Sequence, residues 1–264
     1  MNNRDKEIYQ HFSNEDRSFI DKAFEWLNRV EDSYHFFVTP FLNPHQVRIL
    51  QTLGNHMQIN IFASSEIWAT ENARVIVAPD YYVLDENDFE MDLLEIAYAK
   101  RFNRLHHNQI LGTLIHHLGI ERWTFGDILV ADTQAQLVVD RRFSQYFIDH
   151  ISKIAKVPVN LKVVPWTKML KIGTSAKTIN VLSSSLRLDK IVASVFKLSR
   201  NNAAALISGG AVKVNYTVVD NVSYLLNLGD MISVRRFGRA RLIENKGLSR
   251  NNKHKLTVEV LVSK

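Results

Sequence analysis

The sequence predicts an α+β protein that ends in a small αβ domain with a C-terminal β-hairpin. Three observations support this: apolar residues recur at helical spacing, other short runs alternate or stay apolar as strands do, and positive charge is concentrated in the C-terminal half. The 264 residues are enough for two or three domains. We predict an N-terminal α+β domain (1–85), a ferredoxin-like, RRM-like domain (86–165), a linker (166–182) and the small αβ domain (183–264).

The N-terminal domain is predicted to begin with two helices and continue with two strands. Ser13 can cap the first helix, whose buried face has i, i+3, i+4, i+7 spacing and consists of Ile20, Ala23, Phe24 and Leu27. Asn43 and Pro44 begin a second helix, which we expect to stop at Gly54. The runs "MQINIF" and "RVIVAP" predict the strands.

The central domain shows the order β-α-β-β-α-β. "LLEIAYA" predicts a strand, "NQILGTLIHHLG" a helix capped by Asn108 and closed by Gly119, and "GDILVAD" with "AQLVVD" a hairpin. "RRFSQYFIDHISKIA" then predicts a second helix and "VNLKVV" a last strand. Many RNA-binding domains share this plan, but they stack bases on aromatic residues of the two central strands. Because Tyr98 is the one aromatic residue available there, we do not expect that kind of stacking.

The C-terminal domain is predicted to contain two short helices. The linker shows no clear periodicity beyond a possible strand at "TINVL". The first helix has an apolar stripe, which leaves Arg187, Lys190 and Lys197 toward solvent and consists of Leu188, Ile191, Val192, Val195 and Phe196. Ser199 is a good N-cap for the second helix, with Gly209 as its left-handed stop and with Ala203, Leu206 and Ile207 buried.

Strands complete the C-terminal domain. "AVKVN" places Val212 and Val214 inward and Lys213 and Asn215 outward, and "GDMISVRR" supplies another strand. "FGRARLI" and "KLTVEVLVS" predict a hairpin. Its tip, "ENKGLSRNNKHK", is either a solvated loop or a clamp for a nucleic-acid backbone that uses Lys246, Arg250 and Lys253.

The two parts of the chain carry opposite charge. Residues 1–150 contain 13 Lys and Arg against 22 Asp and Glu, a net charge of −9, whereas residues 151–264 contain 20 against 5, a net charge of +15. Such segregation indicates that the basic part meets a polyanion, and nucleic acid is the expected one.

Several classes of site are not expected. The sequence has no cysteine, which excludes disulfides, thiolate catalysis and cysteine-ligated metal and favours a reducing compartment. The two histidine pairs, His106 with His107 and His116 with His117, are out of phase on a helix, so we predict no metal site. No nucleotide-binding or nucleophile-elbow motif occurs, and we expect neither a cofactor nor a catalytic residue. With no signal peptide or transmembrane stretch in the sequence, we expect a cytoplasmic protein without a membrane partner. We also expect a monomer.

Cations and polar groups of the C-terminal domain are the candidate RNA-binding residues. Arg200 lies at a helix N-terminus, where free backbone N–H groups favour a phosphate. The full predicted set is Arg187, Lys190, Lys197, Ser199, Arg200, Asn201, Lys213, Asn215, Arg235, Arg236 and Arg239.

Residues 184–240 resemble the ribosomal-protein S-four RNA-binding domain, also called the alpha-L RNA-binding motif. The resemblance rests on Arg187-Leu188-Asp189, Ser199-Arg200, Ala203, Leu206-Ile207, Gly210, Val212, Val214-Asn215 and Gly229-Asp230. Tyr216 stands where many members have a glycine, so the chain departs from the family at that turn.

The rest of the chain resembles the YlmH family. "FLNPHQVRIL", "HHNQILGTLIHHLGIERWTFGDILV" and "FGRARL" carry this resemblance over almost the whole length. It implies a ribosome-associated factor that binds rRNA of the large subunit carrying peptidyl-tRNA and acts in quality control of stalled chains. The leading hypothesis is therefore a non-enzymatic RNA-binding protein of the ribosome.

Two alternatives remain open. Arg187-Leu188-Asp189 is similar to the tripeptide that holds the catalytic aspartate of pseudouridine synthases, so an RNA-modifying enzyme of rRNA or tRNA is the second hypothesis. In this sequence, however, Asp189 falls inside an amphipathic helix, where capping or an ion pair is the simpler role. A protein-interaction scaffold that uses the acidic half is the third hypothesis.

Overall fold

The computed structural model describes residues 16–171 and 176–261. The chain divides into two compact units, Met1–Ile172 (the large unit) and Gly173–Lys264 (the small unit). The predicted α+β class is confirmed. Within the described residues, no helix is both long and apolar enough to cross a membrane.

The large unit begins with two helices on a small antiparallel sheet. The elements are α1 (Arg17–Ser33), β1 (Phe37–Val38), α2 (Pro44–Met57), β2 (Asn60–Ala63) and β3 (Val75–Ala78). The strand order is β1-β3-β2. The predicted stripe on α1 is buried, with the exception of the half-buried Phe24, whereas the predicted cap Ser13 lies outside the described residues.

Helix α2 begins where the sequence predicts and ends later. Asn43 accepts hydrogen bonds from the backbone N–H groups of His45 and Gln46, and Gln46 accepts one from the Asn43 N–H, which forms a capping box. The predicted stop at Gly54 is wrong. A Cβ at Gly54 would lie 2.4 Å from Cγ1 of Ile61, so glycine is needed there for close packing inside the helix.

The central part of the large unit is a four-stranded antiparallel sheet with order β5-β6-β4-β9. Its elements are β4 (Met91–Ala97), α3 (His107–Gly112) with a π-helical continuation (Thr113–His117), β5 (Phe125–Ala131), β6 (Gln134–Asp140), α4 (Ser144–His150), β7 (Lys153–Ile154), β8 (Val157–Pro158) and β9 (Asn160–Val164). The β-α-β-β-α-β order along the chain is present, and the ferredoxin-like designation stays a prediction.

Two helix boundaries in this part differ from the sequence prediction. His106, not Asn108, is the N-cap of α3, and its backbone N–H donates to the Gln109 side chain. The predicted helix over residues 141–155 is α-helical only in α4. It ends early because Ile154 is fully buried in the core, where it pairs with Val157 in the β7–β8 hairpin.

Both faces of the central sheet are covered. Helices α3 and α4 pack on one face, around residues such as Leu94 and Leu137. On the other face Leu93 and Val138 pack against Ile76 of β3 and against Trp166, at the start of a 3-10 helix (Trp166–Lys168). The first residues of the predicted linker therefore belong to the core of the large unit.

A buried ion pair joins the N-terminal and central parts. Arg74 and Asp140 have side chains that are each 1% exposed, with 3.5 Å between Nη1 and Oδ1. The Arg74 guanidinium also donates to the carbonyls of Thr39, Phe89 and Glu90. These bonds compensate for removing the charge from water.

The small unit is a six-stranded antiparallel sheet with two helices. Its elements are β10 (Ala176–Ser183), α5 (Leu188–Phe196), α6 (Arg200–Ser208), β11 (Val212–Val214), β12 (Thr217–Val218), β13 (Met231–Val234), β14 (Gly238–Leu248) and β15 (His254–Leu261). The strand order is β10-β15-β14-β13-β11-β12. Strand β10 covers the stretch predicted as a linker with a possible strand, and it pairs along its whole length with β15.

Other details of the small unit also correct the prediction. The left-handed glycine after α6 is Gly210, with φ +67°, and not Gly209, with φ −81°. The C-terminal hairpin is confirmed. Strand β14 extends to Leu248, farther than its apolar pattern indicates, so part of the predicted tip is paired strand.

Candidate nucleic-acid interface

The helix pair of the small unit covers one face of its sheet. Leu188, Ile191 and Val192 of α5 are fully buried against strand residues such as Val212 and Ile232. The predicted apolar stripe of α5 is thus confirmed. It fixes the orientation of α5, and it leaves the polar side of the two helices at the surface.

Asp189 lies at the centre of the polar residues on this side. Its side chain is 3% exposed and accepts two hydrogen bonds from Arg187, each 3.1 Å, and one from Arg200 Nε at 3.0 Å. The backbone N–H of Lys190 donates a further bond. The ion pair expected for Asp189 is therefore present, and this one carboxylate holds both Arg187 and Arg200.

The protonation of Asp189 follows from these contacts. Burial by itself raises the pKa of Asp189, but the hydrogen bonds and charges of Arg187 and Arg200 outweigh burial and lower that pKa below its ordinary value. The bond to Asp189 in turn raises the pKa of Arg187. The cluster carries one negative and two positive charges at neutral pH.

The start of α5 offers no open phosphate site at its first two N–H groups. Leu188 N–H donates to the Tyr224 carbonyl and Asp189 N–H to the Val222 carbonyl. At α6, Ser199 is the predicted N-cap, and its Oγ accepts from the Asn202 N–H. The Arg200 side chain is 60% exposed beside Asp189, so it can reach a phosphate through the part of its guanidinium that faces water.

Further cations lie near both ends of α5. Lys190 Nζ donates to Ser184 Oγ at 2.8 Å, and Lys197 is exposed at the C-cap. Arg235 and Arg236 are exposed in the turn after β13. Phe237 of this turn contacts Phe196, the last residue of α5, with 6.3 Å between ring centroids. We define the helix-side surface as the polar residues of the two helices and this turn: Arg187, Lys190, Lys197, Ser199, Arg200, Asn201, Arg235 and Arg236.

The structure does not bring Lys213 to the helix-side surface. Lys213 lies between the buried Val212 and Val214, so it projects from the sheet face opposite the helices. By the same alternation Arg239 and Arg241 flank Ala240 on that opposite face. These three residues form the sheet-side face. Arg241 was missed in the sequence analysis, although the alternation in "RARL" places it on the same face as Arg239.

The side chain of Asn215 holds a turn together and does not face solvent. Its predicted outward orientation is wrong, because it is half-buried and its amide donates to Asp230 at 2.8 Å while accepting from the Met231 N–H at 3.0 Å. Asn215 and Tyr216 have φ values of 48° and 74°, as the two central residues of a type I′ turn do. The turn therefore keeps a left-handed residue where many members have glycine.

The described residues that could ligate a metal, and the cations of the hairpin tip, remain to be placed. Within the described residues, no group of three or more histidine, cysteine or acidic side chains is placed to hold a metal ion. At the hairpin tip Lys246, Arg250 and Lys253 are exposed, and Lys246 Nζ lies 3.7 Å from Glu244. The choice between a solvated tip and a backbone clamp stays a prediction.

Comparisons with known proteins identify the family. Three family descriptions match the chain: "YlmH, N-terminal" over residues 15–82, "Putative RNA-binding domain in YlmH" over 85–168 and "S4 domain" over 186–232. The chain is also 33% identical, over 96% of its length and 98% of the relative, to "Ribosome-associated protein quality control protein P2" of Bacillus subtilis (strain 168). The chain belongs to the YlmH family.

A solved YlmH structure agrees with this assignment. "Cell division protein ylmH from Streptococcus pneumoniae" is 45% identical to the chain, with a TM-score of 0.56, and the match covers 62% of this chain and 99% of the other. S4, the S-four domain of the sequence analysis, is an RNA-binding domain. In this member of the YlmH family, that domain contains Asp189, both helices and β11.

Proposed function

We propose that this YlmH-family chain is a non-enzymatic RNA-binding protein that binds the large ribosomal subunit carrying peptidyl-tRNA and acts in ribosome-associated quality control. The observation that carries the proposal is the helix-side surface, where the exposed cations Lys197, Arg200, Arg235 and Arg236 and the half-buried Arg187 and Lys190 surround Asp189 of an S4 domain. The printed name of the Bacillus subtilis relative supports the ribosome and quality control. The large subunit and peptidyl-tRNA rest on the family resemblance.

The proposed binding is mainly electrostatic. The small unit, residues 173–264, contains 15 Lys and Arg against 5 Asp and Glu, a net charge of +10, and each phosphate that a Lys or Arg neutralises releases counterions. The Asp189 carboxylate restrains Arg187 and Arg200 before RNA arrives, which lowers the entropy lost when they bind phosphate. Exposed cations with few stacking groups suit a folded RNA surface.

The arrangement around Asp189 does not favour the RNA-modifying alternative. A catalytic carboxylate must reach the substrate, whereas Asp189 is 3% exposed and both its oxygens accept bonds from arginines. Asp189 fits a positioning role for Arg187 and Arg200. The scaffold alternative concerns the large unit and makes no use of this cluster.

Gradient sedimentation tests the proposal. Full-length protein is incubated with purified large subunits that carry or lack peptidyl-tRNA, and the fractions are probed for the protein. We expect co-sedimentation with the large subunit, stronger when peptidyl-tRNA is present, and loss of the protein from these fractions at high salt.

The control is the full-length variant Lys190→Ala/Lys197→Ala/Arg235→Ala/Arg236→Ala, which should remain in the soluble fractions. Wild-type protein that stays soluble under every condition would refute the ribosomal role. Mass spectrometry of the RNA, with an altered nucleotide that depends on Asp189, would instead support the modifying enzyme.

A further inference from the structure

A cluster of exposed cations lies in the loop that joins β4 to α3 in the large unit. Lys100, Arg101 and Arg104 are all exposed in this loop. They stand out because the large unit, residues 1–172, carries 18 Lys and Arg against 22 Asp and Glu, a net charge of −4. The function proposed above makes no use of them.

The loop is held at its base and exposed at its tip. Tyr98 packs against the core at one end of the loop, and Leu105, 1% exposed, is buried in it at the other end. Within the loop the backbone N–H groups of Phe102 and Asn103 donate to the Ala99 carbonyl. This turn places Phe102 at the surface with 80% of its area exposed.

The guanidinium of Arg101 lies over the Phe102 ring. The guanidinium carbon of Arg101 lies 5.8 Å from the centroid of the Phe102 ring. Such an exposed aromatic ring is not part of a core, and burying it against a partner would be favourable.

The fold brings a second basic segment to the same end of the sheet. Ala97, the last residue of β4, pairs with Asn160, the first residue of β9. The β7–β8 hairpin just before β9 exposes Lys153 and Lys156, and its Ala155 N–H donates to Thr113 Oγ1 at 3.2 Å. We call the five residues Lys100, Arg101, Arg104, Lys153 and Lys156, together with Phe102, the basic end.

Charge is polarised along the central sheet. The neighbouring elements place the acids Glu95, Asp132 and Asp149 toward this end, and Glu95 is paired with Lys162 of β9, so the five cations are in excess there. The other end, where β4 begins, follows a 3-10 helix (Glu86–Phe89) and carries the acids Glu86, Asp88 and Glu90, and its cations Arg141 and Arg142 are paired with Asp92 and Asp140. The basic end is therefore a local feature that opposes the charge of the surrounding unit.

We propose that the basic end binds unpaired nucleotides of an RNA, with its cations on phosphates and Phe102 stacked on a base. Cations alone would suit any polyanion, but an exposed aromatic ring between them adds the contact that single-stranded RNA uses. Both faces of the central sheet are covered, so an RNA can meet this domain only at its ends, edges or helices. The match to an RNA-binding family description over residues 85–168 supports the class of ligand.

The test compares full-length variants on two RNA probes, a stem with a large unpaired loop and the same stem as a blunt duplex. Phe102→Ala should weaken stem-loop binding by on the order of tenfold and leave duplex binding unchanged, because only the loop has unstacked bases. Lys100→Ala/Arg101→Ala/Arg104→Ala should weaken stem-loop binding and reduce its salt slope by about 0.7 for each cation lost.

Arg17→Ala/Arg48→Ala/Lys168→Ala is the matched control, because it also removes three exposed cations, from elsewhere in the large unit. It should bind both probes as the wild type does, and all variants should keep the wild-type thermal midpoint. Unchanged stem-loop affinity in Phe102→Ala would overturn the proposal. So would a control that loses as much affinity as the triple variant.

A polyglutamate competitor separates RNA from an acidic protein partner. Polyglutamate and single-stranded RNA are compared as competitors of the bound stem-loop. If both displace it equally well, and if Phe102→Ala alters the effect of neither competitor, the basic end binds by charge alone and the proposal fails. Failure here leaves the ribosomal role intact, since that role is tested by the helix-side variant in sedimentation.

Discussion

The two larger sheets of the molecule differ in how much of their surface remains available. The central sheet of the large unit is buried on both faces, by α3 and α4 on one and by β3 and Trp166 on the other. The sheet of the small unit has helices on one face, and cations project from the opposite face. The first sheet is covered on both faces, whereas the second is covered by helices on one face and open on the other.

Which sheet faces are covered limits the surfaces on which each unit can contact RNA. RNA-binding domains of the predicted RRM-like plan present an open sheet face to bases, whereas in this sheet the face without helices packs on the N-terminal part. The ends and edges of the sheet and the outer sides of its helices are left, and the basic end proposed above lies at one of those ends. In the small unit, helix-side and sheet-side cations lie on opposite faces, so one RNA helix is not expected to contact both.

Removing Arg74 should have the largest effect, in the large unit. Arg74→Ala leaves Asp140 buried with one partner fewer and three carbonyls without their donor, and we expect a loss of about 3–5 kcal/mol of unfolding free energy. Chemical denaturation measures this. Arg141→Ala, which removes an exposed partner of Asp92, is the control and should cost at most about 1 kcal/mol.

Hydrogen exchange on Arg74→Ala sharpens the comparison. If the N-terminal and central parts form one cooperative layer, protection should fall in both together and persist in the small unit. Loss of protection in the N-terminal part alone would contradict the account of a sheet covered on both faces.

Leu188→Ala is the corresponding core change in the small unit. It leaves a cavity between α5 and the sheet, and we expect it to cost about 2–5 kcal/mol and to abolish RNA binding when the unit unfolds. Denaturant titration followed by RNA titration at the same temperature checks both effects. An unfolding free energy equal to that of the wild type would mean that α5 is not held by its apolar stripe.

Replacing Asp189 should have a smaller effect, because the arginines left behind can reach water. We expect Asp189→Asn to cost about 1.5–3 kcal/mol through lost charged hydrogen bonds. Folding lowers the pKa of Asp189, so the ionised carboxylate stabilises the folded protein fully at neutral pH. This contribution is lost as the pH falls through the ordinary pKa of 3.8 toward the lowered pKa of the folded state.

Denaturation at a series of pH values measures this contribution. The difference in stability between the wild type and Asp189→Asn should shrink as the solution is acidified below pH 3.8. A difference that stays constant down to the lowest pH would show that the charge of Asp189 contributes nothing.

Single lysine substitutions on the two faces should have the smallest effects. Lys197→Ala on the helix-side surface should reduce the salt slope of duplex RNA binding by about 0.9, as expected for one lost phosphate contact. Lys213→Ala on the sheet-side face should leave the slope unchanged, because that face looks away from the helices. Equal changes in the two variants would indicate that RNA wraps around the unit.

Local patterns predicted much of the fold. The spacing on α1 and α5, the capping residues Asn43 and Ser199, and the β5–β6 hairpin are visible in the sequence because each depends on neighbours along the chain. The closed central sheet also had a signal. Leu137, Val138 and Val139 of β6 are consecutive apolar residues, which is typical of a strand buried on both faces.

Contacts distant in sequence could not be predicted in this way. Gly54 resembles a helix stop until Ile61 is seen against it, and Arg74 resembles a surface charge until Asp140 is placed beside it. An ion pair of Asp189 with a neighbouring cation is expected from the sequence, but the contact of the same carboxylate with Arg200 of the second helix depends on how the two helices pack. The sequence predicts that the cations of the small unit lie in a basic domain. Which of them lie on the helix side and which on the opposite sheet face can be assigned only once the register of the strands is known.

Ultraviolet cross-linking of the full-length protein to large ribosomal subunits, followed by identification of the cross-linked peptides, tests the central claim most directly. The account predicts RNA attached to peptides from α5, α6 and the turn that contains Arg235 and Arg236. RNA attached only to peptides of β11, β14 or the large unit, with none on the two helices, would contradict it.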